Sequence, residues 1–107
     1  MEAKAVARVF GPAVACSSTK PLVGHTLGAS GAIEAGFCWL MLARRVGGEL
    51  RLPPHRWDGI PDTSLPSLRL AAAGEGLLPK KRAILLSNSF GFGGNNCTLI
   101  FGEADAC

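Results

Sequence analysis

The sequence predicts an α/β chain built around one buried Gly/Ala-rich helix and an antiparallel strand pair near its C-terminus. Small residues recur through the helical pattern of residues 27–45, at Gly28, Ala29, Gly31, Ala32, Ala35 and Gly36. Each interior Gly costs a helix about 1 kcal/mol against Ala. Close approach of neighbouring backbones is the compensation such a helix needs, which puts it inside the fold. Two apolar runs, 82–88 and 96–102, flank a glycine-rich stretch at 89–95 whose residues tolerate positive φ. They predict antiparallel strands over 83–88 and 97–101. Finally, 48% of the residues are hydrophobic and only 18% charged, which excludes disorder and fits a well-buried chain.

The remaining elements follow in order. Residues 1–10 have an amphipathic helical pattern, with Ala3, Val6, Val9 and Phe10 on one face and Glu2, Lys4 and Arg8 on the other. Gly11-Pro12 ends it. A helix that begins at Met1, with nothing before it to pack on, suggests a chain cut from something longer. Residues 13–17 suit a short buried strand. Residues 18–26 read as a turn holding Lys20, Pro21, Gly24 and His25. The long helix then follows, with Arg44 and Arg45 at the negative end of its dipole and Gly47-Gly48 as its stop. Residues 49–78 have no clear period and contain Pro53, Pro54, Pro61 and Pro66. Loops beyond about 12–15 residues are unusual in a compact domain, so this segment is expected to wrap over a larger body.

Composition excludes several functions. The net charge of +3 is mild, and the basic residues are scattered apart from Lys80-Lys81-Arg82. No aromatics alternate with them, so no nucleic-acid partner is expected. Cys16, Cys38, Cys97 and Cys107 form no CxxC pair, and the histidines are His25 and His55 alone. That spacing gives no metal pattern. Residues 1–4 lack the basic start and apolar core of a signal peptide, so free thiols in a cytoplasm are the default. The longest apolar run, 37–43, falls far short of the roughly 20 residues of a membrane span.

Chemistry concentrates between residues 17 and 34. Lys20, His25 and Glu34 lie there among small and apolar residues, where charges are costly unless they pair or react. Two readings stay open. One is a structural Lys20–Glu34 ion pair beside a core histidine. The other is a histidine near a helix N-terminus, presenting Nε2 to a carbonyl that turns negative during reaction. The GFGGNN run at 91–96 is not a phosphate cradle, because it lacks GxGxxG spacing and leads into a strand. Phe92, carried between glycines, suits a mobile aromatic gate or an ordinary hairpin tip. Cys16 and Cys38 read as small buried hydrophobes, and His55 as part of a surface loop.

Two motifs together resemble the C-terminal part of the β-ketoacyl-acyl-carrier-protein synthases, the condensing enzymes of fatty acid and polyketide assembly. The first is Ser18-Thr19-Lys20, Gly24-His25 and then Leu27-Gly28-Ala29-Ser30-Gly31-Ala32-Ile33-Glu34. The second is Asn88-Ser89-Phe90-Gly91-Phe92-Gly93-Gly94-Asn95-Asn96. Each is specific, their order and separation agree with the family, and the likeness covers nearly the whole chain. It is weakest in the Pro-rich loop.

The resemblance implies the second half of a thiolase-like αβαβα layered fold, residues 1–107 being a partial C-terminal synthase domain. It implies a homodimer when complete, acyl- and malonyl-loaded carrier protein as partner, no cofactor, and a cytoplasmic place. By the same resemblance His25 matches the second catalytic histidine, Lys20 the active-site lysine and Glu34 its partner. Phe92 matches the acyl gate, with Gly91, Gly93 and Gly94 as hinges. Glu34, Ser87 and Asn88 match positions around a structural monovalent cation in some members. Pro21 and Ser30 are minor variations. The family's nucleophilic cysteine and first histidine, in an HGT segment, are absent from these residues. The chain alone is therefore expected to be inactive. The alternatives are a non-catalytic carrier-binding or dimerisation module, or a decarboxylase-type relative.

Overall fold

The computed structural model describes residues 1–104, the Phe92 side chain excepted; Cys107 lies outside the described residues. The elements are α1 (Glu2–Phe10), β1 (Ala15–Cys16), α2 (Lys20–Val23), α3 (Ser30–Ala43), β2 (Leu50–Arg51), β3 (Arg69–Leu70), β4 (Gly76–Leu77), β5 (Ile84–Phe90) and β6 (Asn96–Gly102). Helices and strands are mixed, as an α/β chain requires. The chain divides into two compact units, Met1–Gly24 with Leu52–Glu75, and His25–Arg51 with Gly76–Cys107.

In the first unit, α1 places Glu2 in its first turn and Arg8 in its last, each matched to the helix dipole. Gly11 ends it at φ 73°, its N–H donating to the Ala7 carbonyl at 3.0 Å. Of the predicted apolar face, Ala3 and Val6 are half-buried, whereas Val9 and Phe10 are exposed. The strand expected over 13–17 contracts to β1, which pairs in parallel with β3 (Ala15 with Arg69, Cys16 with Leu70). The Ala71 N–H extends the pairing to the Cys16 carbonyl at 2.9 Å. The turn expected over 18–26 contains the short helix α2, which the proline at its second position had hidden.

The Pro-rich segment 49–78, expected to lack regular structure, contains the two-residue strands β2, β3 and β4, and its turns are built. Asp58 accepts from the Ile60 N–H at 2.9 Å, and Asp62 accepts from the Ser64 N–H at 2.9 Å and hydroxyl at 2.6 Å. Those Ser64 bonds hold the Asp62 carboxyl below its usual pKa. Glu75 accepts from the Ala72 N–H at 2.9 Å and pairs with Arg69. The backbone bond first and Arg69 second lower its pKa likewise.

In the second unit, β5 and β6 form a seven-pair antiparallel ladder running from Ile84 opposite Gly102 to Phe90 opposite Asn96. The strand pair lies where the sequence placed it: β5 starts one residue later than expected and ends two later, and β6 is longer by one residue at each end. Its tip is closed by the Gly91 N–H donating to the Asn95 carbonyl at 2.8 Å, with Gly93 and Gly94 at φ 76° and 80°. α3 packs on this ladder and on β2. The helix expected over 27–45 opens with a tight 3-10 turn, Leu27–Ala29, and the α-helix proper stops at Ala43. Arg44 caps it, and Arg45 leaves it to bind the Gly48 carbonyl and pair with Glu103. Glu103 also accepts from the Ala83 N–H at 3.3 Å, tying the start of β5 to the end of α3.

The expectation that α3 is buried requires correction. No residue of α3 is buried. Its half-buried side carries Gly31, Glu34, Ala35, Cys38 and Leu42, while Ala32, Gly36, Trp39 and Leu40 are exposed, Trp39 to 61%. The physical reason is that the elements of its own unit meet one face only. Close approach does not account for the glycines: a Cβ on Gly31 would stand 3.4 Å from Ser89 Oγ, an ordinary contact, and one on Gly36 would meet nothing within 4 Å.

Antiparallel β2–β4 pairing (Leu50 with Leu77) completes the unit, and Leu50, only 1% exposed, is its largest fully buried side chain. Leu50→Ala should therefore destabilise the chain by about 2–5 kcal/mol, read from the urea midpoint. A loss below about 1 kcal/mol would show that Leu50 is not an anchor.

Candidate active site

His25 and Glu34 belong to the second unit, at and beyond the N-terminal approach to α3, and Lys20 opens α2 in the first. His25 is exposed. Its Nδ1 accepts the Leu27 N–H at 3.2 Å, and Ser30 Oγ stands 3.4 Å from the same nitrogen. A backbone N–H can only donate, so the neutral ring carries its proton on Nε2. Ser30 in turn lies 3.3 Å from Thr26 Oγ1. The imidazole is thus seated by a short local network, with its remaining N–H turned to other work.

Local backbone strain accompanies this arrangement. Leu27 adopts φ 51°, the one non-glycine residue at positive φ among the described residues. A left-handed leucine costs roughly 1–2 kcal/mol, and such strain concentrates at functional sites. Here it stands at the first residue of the 3-10 turn that leads into α3. Ser30, read from the sequence as a minor variation, is a neighbour of the imidazole that sequence reasoning missed. Its position five residues after His25, at the first residue of α3, was the available signal.

Glu34 lies one turn after Gly31, on the half-buried side of α3. It stands one turn before Cys38 and helps raise the Cys38 pKa, second to burial. The expected Lys20–Glu34 pair joins residues of different units.

Alternation along β5 sorts the candidate cation residues. Ser87 and Ser89 share the face that meets α3, and Ser87 is buried. Asn88 points to the other face, where its Oδ1 accepts from Thr98 Oγ1 at 2.9 Å. Glu34 and Ser87 therefore lie on the α3 side, and the Asn88 side chain does not. No group of three or more His, Cys, Asp or Glu able to hold a metal ion occurs among the described residues. Gly91, Gly93 and Gly94 form the hairpin tip around Phe92, the last two in the left-handed region where glycine is favoured.

The cysteines occupy contrasting surroundings. Cys16 and Cys38 are half-buried and Cys97 is exposed. Burial, aided by Glu2, pushes the Cys16 thiol up; burial, aided by Glu34, does the same to Cys38. Neither has the depressed pKa of an activated nucleophile.

The chain is similar to known proteins over almost its full length. A family model described as "Beta-ketoacyl synthase, C-terminal domain" matches residues 1–50. The 3-oxoacyl-[acyl-carrier-protein] synthase 1 of Haemophilus influenzae is 39% identical over 107 residues, covering 94% of this chain and 23% of that protein. The chloroplastic 3-oxoacyl-[acyl-carrier-protein] synthase II of Arabidopsis thaliana is 39% identical over 102 residues (94% and 18%). The 3-oxoacyl-[acyl-carrier-protein] synthase 2 of Staphylococcus aureus is 34% identical over 108 residues (98% and 24%). The chain thus spans about a quarter or less of the length of these curated relatives. No solved structure shows a significant match.

The thiols yield a direct test. Under native conditions near neutral pH, an alkylating reagent should modify Cys97 well before Cys16 and Cys38, as read by peptide mass spectrometry. Preferential labelling of either half-buried thiol would contradict its raised pKa. Because folding raises both values, their stabilising contribution is complete below the ordinary thiol pKa and disappears as pH rises through the folded values.

Proposed function

Since the chain belongs to the β-ketoacyl synthase family, as its C-terminal part, we propose that it supplies one side of a decarboxylative condensing site. The reaction joins an acyl thioester to malonyl-carrier protein in fatty acid synthesis or a polyketide-type pathway. The nucleophilic cysteine and the first histidine come from residues outside these 107. The observation that carries this reading is the seat of His25: exposed, held through Nδ1, and left with Nε2–H to donate.

The chemistry follows from that donor. A cysteine outside these residues carries the acyl group as a thioester. Malonyl-carrier protein loses carbon dioxide, and the electron pair of the broken bond passes into an enolate on the thioester. The enolate carbon then attacks the acyl carbonyl, and the cysteine sulfur leaves. Negative charge gathers on the malonyl thioester oxygen during decarboxylation. His25 Nε2–H donates to it there, near the positive end of α3. Lys20 and Glu34 are the charged residues that match the family's supporting lysine and glutamate, and each needs compensation wherever it is desolvated.

The Gly91–Gly94 tip carries Phe92 as the gate for acyl chains, its glycines giving the hinge freedom. Any structural cation draws on Glu34 and Ser87, with Asn88 contributing through its backbone. The complete enzyme has the thiolase-like αβαβα layers, forms a homodimer, meets the acyl carrier protein, and works in the cytoplasm. No helix among the described residues is long and apolar enough to cross a membrane.

Purified 107-residue chain, incubated with acyl- and malonyl-carrier protein, should form no β-ketoacyl product. Product formation would overturn the division of the site, and carrier binding without turnover would favour a non-catalytic binding module. In a complete synthase containing these residues, His25→Ala should lower the condensation rate about 10²–10³-fold, measured by product release. A change below about threefold would remove His25 from the reaction, since a lost transition-state donor costs far more.

A further inference from the structure

His55, placed by the sequence in a surface loop, is half-buried and tied into the first unit at both its backbone and its ring. Its backbone N–H donates to the Ala71 carbonyl at 2.8 Å. Its ring meets Trp57 edge-on, with centroids 6.2 Å apart at 63°. Its Nδ1 accepts the Ser18 N–H at 3.0 Å, across 37 residues of sequence. Ala71 also donates to the Cys16 carbonyl. The bonds therefore close a circuit from Cys16 through Ala71 and His55 to Ser18, two residues further along the same strand exit.

The segment that this circuit holds is short and carries no side-chain cap. α2 has four residues, too few to be stable alone. Its N-cap, Thr19, makes no side-chain cap bond, and Thr19 Oγ1 is buried without a hydrogen-bond partner. Pro21 removes one more backbone donor. The internal bonds are those from Leu22 and Val23 to the Thr19 carbonyl and from Gly24 to the Lys20 carbonyl.

We propose that His55 is a positioning residue: its Nδ1, by accepting the Ser18 amide, fixes the Ser18-Thr19-Lys20 entry to α2 and so sets where Lys20 starts. The catalytic meaning of that placement rests on the role proposed for Lys20 above; the bond and its hold on α2 do not. A neutral ring with Nε2–H is required, because only an unprotonated Nδ1 can accept.

Isotope-directed NMR on the 107-residue chain tests this at both ends of the bond. The His55 ring should show the Nε2–H tautomer, and the Ser18 amide should exchange slowly with solvent. His55→Ala should speed Ser18 exchange roughly tenfold, the loss of one hydrogen bond, and should carry the Leu22, Val23 and Gly24 amides with it. His55→Asn presents Oδ1 from the same Cγ and should restore most of the protection. An Nδ1–H tautomer in the unmutated chain, α2 amides unmoved in His55→Ala, or no rescue by Asn would each overturn the assignment. If His55→Ala unfolds the unit, the tautomer and the Asn variant decide. None of these readouts passes through turnover. They stand if Lys20 proves non-catalytic, and their failure leaves the role of Lys20 untouched.

Discussion

The seat of α3 on the β5–β6 ladder is the contact on which the second unit depends. A two-stranded hairpin is marginal in water, and a 14-residue helix on its own is little better. Each supplies the apolar cover that the other lacks. Gly31 of the helix faces Ser89 of β5 at this seat. The far end is tied by Glu103, which holds both Arg45 and the Ala83 N–H. Without that seat, His25 would have no fixed helix start to lead into, and the left-handed Leu27 would have nothing to offset its strain.

The same seat sorts the chemistry by face. Period-2 alternation sends Ser87 and Ser89 toward α3 and Asn88 away from it, while the 3.6-residue period of α3 sends Glu34 toward the ladder. Three residues that a linear motif groups together are therefore divided by geometry. The outer face of the ladder is apolar at Ile84, Leu86 and Ile100, the last 70% exposed, and the outer face of α3 carries Trp39.

Legibility in the sequence followed the range of the interaction responsible. The ladder was readable because two apolar runs flanking a glycine-rich tip are local signals, and α3 because its pattern runs over several turns. The two-residue strands β1 to β4 carry no period, and a four-residue helix with an internal proline reads as a turn. Composition correctly excluded disorder, yet it misled about α3: hydrophobicity says that a side is suited to burial, not that these 107 residues contain its cover. The motif around His25 was visible, but its hydrogen bonds were not. The positive φ of Leu27, next to that bond, is one that no propensity assigns to leucine. The bond from Ser18 to His55 spans 37 residues and leaves no pattern at all.

Both histidines accept a backbone N–H at Nδ1, and the difference in span gives the same bond two different effects. At His25 the donor is two residues away, on backbone already committed to the turn before α3. The bond therefore orients the ring against a fixed backbone, and what remains adjustable is the chemistry of Nε2. At His55 the ring meets Trp57 edge-on and the backbone is held by its N–H bond to the Ala71 carbonyl, while the donor belongs to a distant segment with no side-chain cap. There the ring is the fixed partner and the backbone is what it orients. A short-span bond to an imidazole prepares the imidazole; a long-span bond prepares the chain that reaches it. On that physical ground the His25 ring is the oriented group, while the His55 ring holds in place the chain that enters α2.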